Sequence, residues 1–166
     1  MPVTIKISGL EEIRNKIASI DMNKLCYNIA SSLKGEIKHR VHVEGKASDG
    51  SNIGEYSEGY MKVRTDNFKS KKIVRGERKG QHRKIYNRNG NKMVVLSLTR
   101  QMEMDMSSTN PIPIENGFGI GYNNDLNYKK AKWQEETYNK KIWDLTDREN
   151  ETVRNIISDY VEKITN

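Results

Sequence analysis

Apolar residues recur at helical spacing between Asp21 and Val43: Leu25, Ile29, Leu33, Ile37 and Val41, with Tyr27 and Ala30 beside them. That period belongs to one face of an α-helix, so the stripe predicts a long amphipathic helix over 21–43 with Asp21 as its cap. A shorter helix is expected over 9–20, capped by Ser8, with Leu10, Ile13, Ile17 and Ile20 at the same spacing. Elsewhere the period changes to two. Val3, Ile5 and Ile7 alternate with Thr4 and Lys6; Leu96 and Leu98 share one side of 93–98; Met102, Met104 and Met106 alternate with Gln101, Glu103 and Asp105 over 101–107. Each of these reads as a half-buried strand. A fourth strand is expected over 117–122, where Phe118, Ile120 and Tyr122 alternate with glycine and leave one face bare. Pro111 and Pro113 make 110–114 a bend between strands. Helices are expected again over 125–138 and 146–164. The second carries Val153, Ile156, Ile157, Tyr160, Val161 and Ile164 on one face, and Thr146 with Glu149 forms a capping box at its start.

Residues 46–60 are rich in Gly, Ser, Asp and Asn, with Asp49-Gly50 a turn signal, and read as loop. Charge then alters the picture. The chain carries a net +7, yet residues 62–92 alone hold twelve Lys or Arg against Asp66 and Glu77, so the remainder is net acidic. This stretch has weak strand character at 61–63, 72–74 and 84–86, broken by Gly76, Gly80 and Gly90, which predicts a projecting hairpin or arm. The resulting expectation is one α+β domain over 1–166: a mainly antiparallel sheet covered by the long helix, C-terminal helices, and a projecting basic hairpin or loop at 62–92. The apolar fraction of 34% is low and the charged fraction of 31% high, which suits a protomer that completes its packing in an assembly. The single cysteine, Cys26, excludes an internal disulfide and reads as a buried helix position. No apolar run approaches the roughly 20 residues of a membrane span, so a soluble protein made in the cytoplasm is expected.

Motifs for chemistry are weak. His39 and His42, with Glu44 nearby, have a spacing open to a metal, but only His82 and Cys26 remain as further good donors. Gly45-Lys46-Ala47-Ser48 lacks the earlier glycine and the hydroxyl residue after Lys that a phosphate-binding loop requires, and Gly117, Gly119 and Gly121 miss the dinucleotide spacing. No catalytic residue, metal or cofactor is expected. The feature with a partner written into it is the basic stretch: Lys69, Lys71, Lys72, Arg75, Arg78, Lys79, Arg83, Lys84 and Arg88, with Phe68 and Tyr86 interleaved. These charges suit phosphates, through sequence-blind counterion release, or an acidic protein surface.

Several patches carry a family resemblance. A strand enters Leu98-Thr99-x-x-Met102; a second closes on Gly119-Ile120-Gly121-Tyr122-Asn123-Asn124; Lys130-Ala131-x-Trp133-x-Glu135-Glu136 follows, and then an aromatic-bracketed Leu145-Thr146-x-x-Glu149. This order resembles the tail-completion or head-to-tail connector proteins of tailed bacteriophages. The opening Ile5-Lys6-Ile7-Ser8-Gly9-Leu10-Glu11-Glu12-Ile13 is similar to the strand-then-helix start of their minor tail protein group. Arg100 departs from the glycine often found after the Leu-Thr of the turn. The resemblance implies a non-enzymatic virion protein of the neck or tail, present in the host cytoplasm during assembly. Its partners would be copies of itself in a ring of about six or twelve, portal or adaptor proteins, tail-tube or terminator proteins, and DNA in the channel, with no membrane. Trp133, Tyr138, Trp143 and Thr146 would then serve packing within the protomer or lateral contacts. The other reading is a small stand-alone nucleic-acid-binding protein that uses 62–92 as its contact surface.

Overall fold

A computed structural model of the chain describes residues 10–84, 86, 90–97 and 99–165. The strand expected at 3–7 lies outside them. The described residues form six α-helices and one two-stranded sheet, an α+β arrangement dominated by helix. The expectation of a mainly antiparallel sheet is therefore corrected.

Helix α1 (Leu10–Ala18) leads into α2 (Met22–His39), where Asp21 accepts the Lys24 amide at 3.0 Å as N-cap. The apolar stripe of α2 is the backbone of the core: Leu25, Ala30, Leu33 and Ile37 are buried, and α2 packs against the later helices at 101–108 and 147–165 and against the sheet. At its end the helix widens into a π turn, Arg40–Glu44, which turns three successive side chains, Arg40, Val41 and His42, inward. Gly45 ends it with φ +68°, its amide bonding the Arg40 carbonyl. A Cβ at Gly45 would run into the Val94 carbonyl oxygen, so close backbone approach and left-handed geometry both select glycine there.

The segment 45–57 has almost no regular structure, yet Ala47, Ile53 and Tyr56 from it join Leu33, Ile37, Val41, Val94 and Ile142 in the main core. Helix α3 (Glu58–Thr65), capped by the Ser57 hydroxyl, follows where a loop and weak strand were expected. Gly59 masks its helical pattern. Residues 93–97 run extended with a single bridge, Glu55 to Met93, rather than as a full strand; Leu98 lies outside the described residues.

The largest correction is α4 (Gln101–Ser108), which replaces the strand expected at 101–107. Met, Glu and Gln are strong helix formers, and the alternating methionines also contain an i, i+4 pair: Met102 and Met106 are buried, whereas Met104 is 66% exposed. Arg100, at φ +57°, makes the turn before α4, and its guanidinium reaches Glu103 at 2.7 Å. The presumed bend instead contains β1 (Ile112–Ile114), paired antiparallel with β2 (Gly117–Gly119) in the register Ile112–Gly119, Pro113–Phe118, Ile114–Gly117. Proline has no N–H, so the bonded pairs are those of Ile112 and Ile114, and Pro113 takes the outward position between them, while Pro111, just before the strand, is buried. Phe118 meets Tyr27 of α2 edge-to-face at 5.4 Å.

Helix α5 (Asp125–Tyr138) and helix α6 (Asp147–Thr165) fall where expected. The capping box is formed: Glu149 N–H donates to the Thr146 hydroxyl at 3.1 Å, and Thr146 N–H to Glu149 Oε2 at 2.8 Å. The same carboxylate meets Arg40, Nε to Oε1 at 2.8 Å, while Arg40 also donates to the carbonyls of Lys46, Ile142 and Asp144. Both side chains are buried. Truncating one partner of such a pair strands the other charge, so Glu149→Ala should cost about 3–5 kcal/mol in urea unfolding, against a change within about 0.5 kcal/mol for the exposed Glu151→Ala. Gly45→Ala should lower the melting temperature sharply, because φ and space both oppose a side chain.

Candidate functional site

The basic stretch divides at Asp66. Upstream of it, Arg64 points inward. It is 5% exposed, donates to the Tyr56 hydroxyl at 3.2 Å and lies 4.4 Å from the Tyr56 ring centre. That hydroxyl in turn donates to the Val95 carbonyl and accepts the Val95 amide. Burial pushes the Tyr56 phenol up to about 12, so it stays a neutral donor at any physiological pH. One of the twelve cations thus belongs to the core.

Downstream, residues 71–83 fold as a short hairpin. Ile73 N–H donates to the Gln81 carbonyl at 2.9 Å, Gly80 N–H to Ile73 at 2.8 Å, and Arg83 N–H to Lys71 at 2.9 Å, around a bridge of Lys72 and His82. Gly76 and Gly80, at φ +82° and +88°, supply the turn. Among the described residues, every hydrogen bond of this hairpin closes within 66–83, including Lys71 Nζ to Asp66 at 2.6 Å. Nothing apolar anchors it except half-buried Ile73. A two-stranded hairpin without a covered face is marginal in water, and the mutual repulsion of its charges weakens it further.

The hairpin gathers eight of the nine expected basic residues. Lys69, Lys71, Lys72, Arg75, Arg78, Lys79 and Lys84 are exposed, Arg83 is half-buried, and Arg88 lies outside the described residues. The interleaved aromatics are engaged locally. The Arg83 guanidinium sits 4.0 Å above the Phe68 ring and Lys84 5.6 Å from Tyr86, which leaves the remaining cations outward.

The aromatic residues of the C-terminal half separate into two roles. Trp133, 54% exposed, borders an open cleft of about 660 Å³ with Tyr56, Tyr60, Met102, Lys130 and Tyr138. Tyr138 also packs on Gly54, where a Cβ would stand 2.6 Å from its ring. Trp143 is internal: its indole N–H donates to the Ala131 carbonyl at 3.3 Å and its ring meets Tyr122 edge-on at 5.7 Å. Thr146 is the cap already described. The histidine pair does not converge, because His39 stands outside against Glu44 while His42 is buried beneath Trp143. Among the described residues no cluster of His, Cys, Asp and Glu has the geometry of a metal site, and no helix is long and apolar enough to cross a membrane.

No protein-family model, curated protein or solved structure matches the chain.

Sequence reasoning missed the outward apolar surface. Met104, Ile112, Ile114, Leu126 and Tyr128 are all exposed on α4, the β1–β2 hairpin and the start of α5. Most of these had been assigned to strand or helix faces, and the assignment of 101–107 to strand concealed that Met104 points away from its neighbours.

His42 gives the site a pH signature. Its Nδ1 lies 2.8 Å from the Leu96 carbonyl, which places the proton there, and Nε2 is buried with no partner. Burial lowers its pKa below 6.5, opposed by the Leu96 carbonyl and Glu103 and aided by Lys38. The unfolded chain therefore takes up a proton near pH 6.5 that the folded one refuses, and stability falls as pH drops below that value toward the depressed folded pKa. Thermal melts between about pH 7 and 5 should show this slope in the native chain and a shallower one in His42→Gln.

Proposed function

We propose that this chain is a structural protein of the neck or tail of a tailed bacteriophage, joining the portal complex of the head to the tail as a ring protomer around the DNA channel. The observation that carries the reading is the set of large apolar side chains left exposed around a well-packed core, Met104, Ile114, Tyr128 and Trp133 among them, together with a self-contained basic hairpin. A protomer of this kind leaves surface to be covered by neighbours. The resemblance over the Leu98-Thr99, Gly119–Asn124, Lys130–Glu136 and Leu145–Glu149 patches supports the same assignment. On this reading the work is geometric rather than catalytic, no cofactor takes part, and the partners are further copies, portal or adaptor proteins, and tail-tube or terminator proteins. The second reading, a stand-alone nucleic-acid-binding protein, draws on the exposed cations of the hairpin.

Mass spectrometry of gradient-purified particles separates the two, since a neck or tail component co-purifies with tailed particles and a free DNA-binding protein does not. Loss of the gene should leave filled heads and tails unjoined. Reversing Lys71, Lys72, Arg78 and Lys79 to Glu should leave the melting temperature of the isolated protein nearly unchanged, because exposed charges contribute little to stability, yet abolish joining. A hairpin reversal that unfolds the whole domain would contradict the placement of these residues outside the core.

A further inference from the structure

We infer that the hairpin at 71–83 grips the phosphate backbone of duplex DNA without regard to sequence, and that this contact steadies its two strands. The inference deepens the neck reading, on which it rests for the choice of DNA, by naming what the exposed cations meet.

The cations of this stretch divide by what they do. Lys71 and Arg83 build the hairpin: Lys71 Nζ clamps the Asp66 carboxylate at 2.6 Å, just past the end of α3, and Arg83 Nε donates to the Ser70 carbonyl at 3.1 Å while its guanidinium covers Phe68. Lys84 lies over Tyr86. The other five, Lys69, Lys72, Arg75, Arg78 and Lys79, are exposed, and among the described residues none has a carboxylate within salt-bridge reach. Across the ladder Lys71 faces Arg83 and Lys72 faces His82, so no acid answers a cation from strand to strand. Cations set opposite one another weaken a strand pair. A polyanion laid along the hairpin replaces that repulsion by attraction, so its binding and the ordering of the two strands are one equilibrium.

The kind of polyanion follows from what the hairpin lacks. A protein interface is centred on apolar and aromatic side chains, and the hairpin offers Val74 as its one exposed large apolar residue. A single nucleic-acid strand is held in part by bases stacking on open rings, and Phe68 and Tyr86 are already covered by Arg83 and Lys84. The duplex backbone asks for neither. It presents one charge per about 1.7 Å of axis, and each phosphate met by a lysine or arginine releases a condensed counterion to solvent. Outside 62–92 the chain is net acidic, so the rest of its surface does not compete for the duplex.

The test is binding of the whole chain to a fluorescent DNA duplex of mixed sequence, followed by anisotropy, with amide exchange read in parallel. With the five unpaired cations on phosphates, binding should weaken about 500-fold between about 50 and 200 mM salt. Changing Lys72, Arg75, Arg78 and Lys79 together to Glu should weaken it at least about 100-fold at fixed salt and leave the melting temperature nearly unchanged. Changing Lys129, Lys132, Arg154 and Lys163 of α5 and α6 to Glu alters the net charge equally and should cost less than about tenfold. Amide exchange over 71–83 should slow on adding the duplex while that of α2 stays as it was. Without the duplex, added salt should slow the same amides by screening their repulsion, the opposite of its effect on binding. Equal loss in the two variants overturns the hairpin contact. Tighter binding to the single strand of the same length overturns the duplex, and retention on poly-glutamate with none on DNA gives the hairpin to an acidic protein surface. Amides of 71–83 no slower with the duplex than without it overturn the steadying. No binding at about 50 mM salt overturns the inference as a whole, while particle composition decides the neck reading separately.

Discussion

The fold hangs on one buried ion pair. Arg40 uses all five of its N–H donors, two on the Glu149 carboxylate and three on the carbonyls of Lys46, Ile142 and Asp144. An isolated charge at that depth would be prohibitive, so the pair forms only when 40–46, 142–144 and the start of α6 arrive together. The planar fork of arginine fits this arrangement where the point charge of lysine would not. Because the same carboxylate closes the capping box at Thr146, the start of α6 is fixed by the end of α2, more than a hundred residues earlier.

That constraint explains how segments without regular structure make so much of the core. Ala47, Ile53, Val94 and Ile142 lie outside helices and strands and yet are almost wholly buried. Their backbone groups need partners, and side chains supply several of them. The Tyr56 hydroxyl serves both the carbonyl and the amide of Val95, and Glu135 Oε1 accepts the amides of Ile142 and Trp143. A core assembled in this way is rigid, and the hairpin that grows from α3 shares none of it. Order and exposure are thus partitioned, with a fixed body carrying a weakly held, highly charged appendage.

Much of this was legible in the sequence where the signal was periodic and long. The α2 stripe, the bounds of α5 and the capping box of α6 all follow from spacing that only a helix can satisfy. The hairpin at 71–83 lies within the basic, glycine-broken stretch 62–92, whose first residues instead finish α3. Other features were hidden by degenerate patterns. Methionine alternating with acid over 101–106 satisfies a period of two and also contains i and i+4 positions, and helix propensity breaks the tie in a direction that the pattern does not show. Of the prolines that suggested a bend, Pro113 sits at the outward position of β1, where a missing N–H costs little, and Pro111 precedes the strand. Arg40 and Arg64 look like surface charges in sequence, because the Glu149 carboxylate and the Ile142 and Asp144 carbonyls that Arg40 meets lie more than a hundred residues on, and Arg64 turns in onto the ring and hydroxyl of Tyr56.

The proline-lined edge of β1 bears on how such a protein survives before it meets its partners. An open sheet edge normally offers a row of donors and acceptors to which any extended chain can add, and growth of that kind has no natural end. Here Pro113, in the middle of β1, has no N–H to offer on the outward side, and Pro111 just before the strand is buried. That edge therefore offers an incoming strand one donor fewer, although Ile112 and Ile114 are on display. Contacts at this edge then fall more to side chains than to backbone groups.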